Sequence, residues 1–393
     1  MARTKEYSRR TAAAGSALWA KGGPRLVRLD VELTERCNNA CVHCYINRPA
    51  DDAAARDREL PAATLGRILA EAAELGCLAV RLTGGEPLLR PDFEEIYLTA
   101  RKLGMGVALF TNAGLVTPAI AGLLKRVPPL RKVEVSVYGM SEASSRTVTG
   151  VKGAFEASRR GLRLLQECAV PVVVKGTMLP AVKAEREELV AWARALPRAD
   201  GPPAFATLFD LHCRRDPKKS RKIRRLRLPP GEAARILADN ARFREEIPDF
   251  LASFSEAPGP GLFSCGAGLK SACVDAYGTL YPCMMLRSPE AAYDLERGTL
   301  RDALDGPFRL LRERTTARPE YLDRCGRCFL KGLCEQCPAR SWIEHGDLDS
   351  PVEYFCEVTH ALAREVGILG PGEKSWESGG VGKARRANRE RRS

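Results

Sequence analysis

From residue 26 to about 213 the chain alternates β-branched runs with segments of helical period, and the order is strict. "RLVRLDVEL", "LAVRLTGG", "GVALFTN", "KVEVSVYG", "VPVVVKGTML" and "AFATLFDLHC" read as six strands. Between them lie "AATLGRILAEAAEL", "DFEEIYLTARKLG", "AFEASRRGLRLLQEC" and "EREELVAWARAL", which read as helices. Such alternation demands right-handed βα crossovers and a parallel sheet, so the expected fold is α/β, closed or partly closed into a barrel. Parallel strands are normally apolar on both faces, and these are not. At period 2 one face collects Asp30, Glu32, Arg81, Thr83, Glu134, Ser136, Tyr138, Lys175, Thr177, Asp210 and His212. The other keeps Val27, Leu29, Val31, Val80, Leu82, Val133, Val135 and Val137, as packing against helices requires. An inward face this polar is lined for a ligand; buried ion pairs are the competing reading.

The remaining segments divide the chain further. Residues 1–25 form an N-terminal extension, 26–227 the barrel, and 228–260 a helical linker, "GEAARILADNARFREEI", ending in "EAPGPG". Residues 261–360 are weakly periodic and rich in cysteine, so metal is expected to replace much of a core there. Residues 361–393 read as a short helix and a basic disordered tail. The N-terminus lacks a signal-type apolar run and no apolar stretch reaches about 20 residues, which points to a cytoplasmic protein with no membrane span.

The net charge of +13 suggests nucleic acid until it is located. Arg214–Arg227 carries +8 and Lys383–Arg392 carries +5, so the rest of the chain is neutral. Two local patches do not make a nucleic-acid-binding surface.

Fourteen cysteines in a reducing compartment indicate metal or redox chemistry before disulfides. Cys37, Cys41 and Cys44 lie just after the first strand, and a larger group, Cys273 among it, crowds between Cys265 and Cys356. Cys77, Cys168 and Cys213 stand apart; the first two read as small buried hydrophobes, and Cys213, beside His212, as a candidate substrate-facing thiol. A structural zinc or a complete iron–sulfur site takes four protein ligands, whereas three leave one position open for substrate. In α/β barrels ligand chemistry sits at the C-terminal ends of the strands, where this triad falls.

"CNNACVHCY" followed by "TGGEP" at the end of strand two resembles the radical S-adenosylmethionine (SAM) enzymes, with His43 at the signature's aromatic position. "FTN" and "VSVYG" after the next two strands are similar to family features. The resemblance implies a (βα)6 partial TIM barrel in which Cys37, Cys41 and Cys44 hold a catalytic [4Fe–4S] cluster. Cleavage of SAM would give a 5′-deoxyadenosyl radical that removes hydrogen from substrate. His43, Gly84, Gly85, Glu86 and Ser136 are the implied SAM contacts, the glycines for close backbone approach and Glu86 for the SAM ammonium. "CGAGLKSACVDAYGTLYPC", "CGRCFLKGLCEQC" and Cys356 resemble the SPASM domain, a small cysteine-rich iron–sulfur domain, except that two residues, not three, precede the last cysteine of the central block. It implies one or two auxiliary [4Fe–4S] clusters: one on Cys325, Cys328, Cys334 and Cys356, the other on Cys265, Cys283 and Cys337, with Cys273 open as its fourth ligand. Gly278 would permit the hairpin that brings Cys265 and Cys283 together. A pair of zinc ribbons competes for the same cysteines.

Enzymes of this kind mostly oxidise or crosslink ribosomally made peptides or proteins, and a minority act on small molecules such as haem precursors. The implied partners are a peptide or protein substrate, a flavodoxin- or ferredoxin-type reductant and, since only some 25 residues precede strand one, a separate peptide-recognition protein. Arg214–Arg227 would attract an acidic leader, unless it is a solvated connector. An iron–sulfur electron carrier and an RNA-binding protein are the readings of another class; a carrier has no use for a SAM site.

Overall fold

The computed structural model describes residues 25–46, 48–197, 203–206, 214, 216–253, 259–334 and 336–377. Its elements fall into two compact units. The first comprises residues 1–206, 213–223 and 266–309, and the second 207–212, 224–265 and 310–393.

In the first unit strands β1 (Arg28–Thr34), β2 (Ala79–Gly84), β3 (Gly106–Thr111), β4 (Leu130–Ser136), β5 (Val172–Thr177) and β6 (Ala204–Ala206) pair in parallel in that order. Helices α1 (Ala62–Glu74), α2 (Phe93–Lys102), α3 (Pro118–Arg126), α4 (Glu142–Thr149), α5 (Ala154–Glu167) and α6 (Arg186–Ala195) supply the crossovers. This is the (βα)6 partial barrel. Helices α3 and α4 add to the four read from periodicity; both are short, and each is set by a side-chain cap, Thr117 accepting from the Ile120 N–H and Ser141 from that of Ser144.

One face of the sheet is the core. Leu29, Val31, Val80, Leu82, Leu109, Val133 and Val135 are at most 1% exposed and pack against Leu69, Phe93, Ile96, Leu124 and Leu165 of the helices. Val27, expected on this face, precedes β1 and is exposed. The opposite face pairs charge with charge: Arg81 with Asp30 (3.3 Å), Lys175 with Glu134, and Arg214 with Glu32 (2.7 Å). Arg81 and Lys175 also stand 4.6 and 4.1 Å from the ring of Phe110.

The sheet does not end at β1. Strand β7 (Ser271–Val274) joins β1 in parallel, and β8 (Thr279–Tyr281) and β9 (Tyr293–Asp294) follow antiparallel. Residues 266–309 therefore cluster with the barrel, whereas the sequence places all of 261–360 in a second domain. The physical reason is the free edge of β1, whose backbone groups β7 satisfies. Gly278, at φ +92°, makes the β7–β8 turn.

In the second unit helices α8 (Pro230–Ala238), α9 (Ala241–Ser253), α11 (Pro338–His345) and α12 (Glu353–Glu365) frame cysteine-bearing loops; α7 (Pro217–Arg224), but for its last residue, and α10 (Leu300–Asp305) belong to the first unit. The single helical pattern expected over 231–247 breaks at Asn240, whose side chain accepts the Phe243 N–H and starts α9. Small apolar clusters hold this unit, one around Ile247, Leu251, Leu330, Leu333 and Leu369, another around Ala234, Ala238 and Leu362. Residues 1–24, Asp210, His212, Cys213, Arg215 and the basic tail 383–392 lie outside the described residues. Among the described residues no helix is long and apolar enough to cross a membrane.

Leu82→Ala should cost about 2–5 kcal/mol in chemical denaturation, whereas Leu269→Ala, at a side chain 50% exposed, should stay within about 0.5 kcal/mol.

Candidate functional site

The chain leaving β1 turns at once into the three-cysteine loop, and its first residues are spent on holding that loop down. Thr34, Glu35 and Arg36 are all buried. The Arg36 guanidinium donates to both carboxylate oxygens of buried Glu59 (2.8 and 3.0 Å) and to the Ala50 carbonyl (2.9 Å). Glu35 accepts from Arg214 (3.0 Å) and from the Tyr277 hydroxyl (2.8 Å). A two-residue parallel ladder, Arg36–Cys37 against Arg48–Pro49, closes the base. Further out the Ala40 and Val42 N–H groups donate to the Thr149 and Val148 carbonyls at the end of α4 (2.8 and 2.9 Å).

The Gly84–Glu86 turn lies against this base. The Gly85 and Glu86 N–H groups donate to the Thr34 and Arg36 carbonyls (2.7 and 2.8 Å). A Cβ on Gly84, which has φ +132°, would stand 2.2 Å from the Thr34 carbonyl oxygen, and one on Gly85 would stand 2.1 Å from that of Arg36. Glycine is thus required by the neighbouring strand end itself, a stronger constraint than the close ligand approach read from the sequence.

Glu86 has protein partners that its sequence reading does not give. Its carboxylate is fully buried and turned into the fold, accepting from the Leu88 N–H (3.2 Å), the Thr111 hydroxyl (2.8 Å) and the Asn112 N–H (2.8 Å). It braces β2 to the end of β3, and its charge faces these partners. Burial, only partly offset by these hydrogen bonds, raises its pKa to about 7.

Cys37 Sγ accepts the Asn39 N–H at 3.4 Å and lies 3.8 Å from Asn112 Nδ2, which also donates to Asn38 (2.8 Å). Burial pushes the Cys37 thiol up to about 12, and burial plus the neighbouring sulfurs raises Cys41 well above the usual thiol value. Thiolate charge at such a site must come from a bound metal. His43 packs edge-on to Tyr138 (5.1 Å), with Nε2 3.5 Å from the Thr177 hydroxyl; burial lowers its pKa to about 4, so the ring is neutral. Ser136 hydrogen-bonds Tyr138 and lines a small cavity of about 20 Å³ together with Asn39, Asn112 and Arg159. The α4 C-terminus was not legible from motif spacing, because it acts on the loop from a distant part of the chain.

A second constellation lies in the second unit. Cys265, Cys325, Cys328, Cys334, Cys337 and Cys356 line one cavity of about 200 Å³. Cys325 ends a π-helical turn, Tyr321–Cys325, and Cys337 sits at the N-terminus of α11. Cys283 and Cys273 belong to the first unit. Cys283 Sγ accepts the Leu286 N–H (3.4 Å), as Cys334 accepts that of Gln336 (3.4 Å). Cys273 is fully buried mid-strand, 3.3 Å from Arg287 Nη2. Cys77, by contrast, donates to the Ala79 carbonyl (3.1 Å), as an inert thiol does.

The donor sets fit iron–sulfur clusters: sulfurs at Cys37, Cys283 and Cys334 each receive a backbone N–H that stabilises thiolate. Among the described residues no three His, Cys, Asp or Glu groups converge on a single ion. A four-iron cluster does not require that, since each thiolate binds its own iron at a corner of the cluster.

Residues 31–193 match the radical SAM superfamily. AdoMet-dependent heme synthase of Methanosarcina barkeri is 28% identical over 82% of this chain and 94% of that protein. PqqA peptide cyclase of Gluconobacter oxydans is 33% identical over 42% and 45%. Mycofactocin maturase MftC of Mycobacterium tuberculosis is 27% identical over 85% and 84%. Among solved structures, Streptococcus suis SuiB bound to precursor peptide SuiA shares the fold with a TM-score of 0.63 at 16% identity, over 87% of this chain and 78% of that one. Residues 31–193 are a radical SAM domain, and the relatives that the chain resembles over most of its length are radical SAM enzymes.

Gly85→Ala should destabilise the protein by about 1–3 kcal/mol, while Gly231→Ala, where an added Cβ meets nothing within 4 Å, should stabilise it by about 0.4–1 kcal/mol; chemical denaturation compares the two. Folded Glu86 holds its proton more tightly than the unfolded chain does, so it removes stability as pH rises from 4.5 to about 7. The loss should be on the order of 3 kcal/mol, and Glu86→Gln should flatten that part of the pH profile.

Proposed function

We propose that the chain oxidises or crosslinks a ribosomally made peptide or protein, using SAM and a [4Fe–4S] cluster held by Cys37, Cys41 and Cys44. The observation that carries the site assignment is the three-thiol loop pinned between the Gly84–Glu86 turn and α4, with N–H donors aimed at Cys37. Bound there, the cluster and SAM supply the 5′-deoxyadenosyl radical that takes a hydrogen atom from substrate, and an auxiliary cluster supplies an acceptor for the second electron that bond formation releases. The chain's own part is positional. Arg36 and Glu59 fix the loop base, Asn112 orients Asn38 beside Cys37, and Ser136, Tyr138 and neutral His43 shape the wall where SAM would lie.

Cys325, Cys328, Cys334 and Cys356 would hold one auxiliary cluster. The other is assigned to Cys265, Cys283 and Cys337, with Cys273 a poor candidate for its fourth ligand because its sulfur is engaged with Arg287 inside a strand. The peptide substrate is supported by near full-length likeness to a mycofactocin maturase and by the fold shared with SuiB. A haem-precursor substrate is the second reading, favoured by the match over 94% of the heme synthase.

The basic segment offers a leader peptide less than its sequence charge suggests. Arg214 is bound to Glu32 and Glu35, and Arg224 and Arg227 to Glu344 (3.6 and 2.5 Å), so several of its cations are already paired. A flavodoxin- or ferredoxin-type reductant and a separate recognition protein complete the proposed partners, in the cytoplasm, where such thiols stay reduced.

Anaerobically purified protein should carry about twelve irons per chain, whereas stoichiometric zinc with about four irons would overturn the auxiliary assignment. Co-expression with a short peptide encoded beside this gene should lower the peptide's mass by two hydrogens per modification, and Cys41→Ala should abolish the change. An unmodified peptide from protein that still forms 5′-deoxyadenosine would favour the small-molecule reading.

A further inference from the structure

The chain does not leave the second unit at the end of α12. Gly367, at φ +74°, turns it back, with the Ile368 N–H donating to the Ala363 carbonyl (2.7 Å) and Leu369 entering the apolar cluster. Arg364 then donates to the Glu373 carbonyl (3.1 Å), and the Glu373 carboxylate accepts the Gly370 N–H (2.8 Å). These contacts bring Ser375, which is completely buried, up to Cys328 and deliver Trp376 to the wall of the cysteine cavity. The sequence offers no motif for this, and residues 361–393 read there as a helix and a tail.

The hydrogen bonds at Ser375 have a determined direction. His360 Nδ1 lies 2.8 Å from the Cys356 carbonyl, which can only accept, so Nδ1 carries the proton and Nε2 is an acceptor with one lone pair. The Ser375 N–H, which can only donate, lies 3.2 Å from Nε2 and occupies that lone pair. The Ser375 hydroxyl oxygen lies 3.1 Å from the same Nε2, but with that lone pair engaged by the N–H the hydroxyl proton points at Cys328 Sγ, 2.9 Å away. On the other side Arg324, held by both oxygens of Glu353 (2.6 and 2.9 Å), places Nη2 3.6 Å from Cys356 Sγ. Trp376 packs edge-on against His360 (5.0 Å) and under the Arg324 guanidinium (5.0 Å).

We propose that residues 370–377 are a built wall of the auxiliary cluster site, in which Ser375 and Arg324 are positioning residues that donate hydrogen bonds to the sulfurs of Cys328 and Cys356 and hold the cluster's reduction potential up. The inference rests on the reading that Cys325, Cys328, Cys334 and Cys356 bind a cluster. Reduction adds negative charge that is shared by the thiolate sulfurs, so donors aimed at them stabilise the reduced form more than the oxidised one. Ser375 acts without a competing carboxylate, whereas Glu353 offsets part of the charge of Arg324; Ser375 is therefore the stronger of the two.

The test is a redox titration of the anaerobically reconstituted full chain, followed by electron paramagnetic resonance, with iron counted per chain. Ser375→Ala should keep the wild-type iron content and move one cluster's midpoint to a more negative potential; Ser375→Thr, which keeps the hydroxyl, should restore it. Arg324→Gln, at a half-buried position, should move the same midpoint in the same direction by less. An unmoved midpoint in both Ser375→Ala and Arg324→Gln would overturn the proposal, as would loss of iron in Ser375→Ala, which would make Ser375 a requirement for holding the cluster. Failure of the underlying reading has a different signature: Cys325→Ala would then retain the wild-type iron content.

Discussion

The turn after β2 and the strand end of β1 approach so closely that no side chain fits between them, and the candidate active site depends on that contact. A methyl group on Gly85 would collide with the Arg36 carbonyl, one residue before the first cysteine of the triad. The same approach lets two N–H groups of the turn donate to the carbonyls of Thr34, which ends β1, and Arg36, just beyond it, so the loop's base and the turn are tied together. Around this contact the buried Arg36–Glu59 pair, the Glu35–Arg214 pair and the Glu86 brace tie the loop base to its neighbours. Buried ion pairs contribute little net stability compared with an apolar core, but breaking one is costly, and here that cost enforces one loop geometry.

Surroundings separate the cysteines by role better than spacing does. Cys77 donates its proton to a carbonyl and packs as a small apolar group. Cys37, Cys283 and Cys334 accept N–H donors, the arrangement a thiolate ligand needs before any metal arrives. Cys273 falls between these cases, with a guanidinium at its sulfur but the closed surroundings of a strand interior.

The strand–helix alternation was legible because each strand of the barrel packs one apolar face on helices, which leaves a period of 2 beside a period of 3.6. The cysteine motifs were legible because a loop ligand set must be local in sequence. What stayed hidden involves partners far apart in the chain. Arg214 reads as one cation in a basic run, yet its carboxylate partner Glu32 is 182 residues earlier. Strand β7 belongs to a cysteine-rich stretch by composition and to the barrel sheet by hydrogen bonding. Ser375 follows a helix end in a segment with no periodicity, and only the fold brings it to Cys328. Glu86 was found in its motif without its partners Thr111 and Asn112, since a sequence does not tell which way a buried carboxylate turns.

The account's central claim is that the loop of Cys37, Cys41 and Cys44 holds the cluster to which SAM binds. The most direct measurement is the electron paramagnetic resonance spectrum of the reduced, reconstituted protein before and after adding SAM, in wild type and in Cys41→Ala. The account predicts that SAM alters the signal of one cluster in wild type and alters nothing in Cys41→Ala, while the remaining cluster signals persist. A SAM-dependent change that survives in Cys41→Ala would place the SAM site on other cysteines and contradict the account.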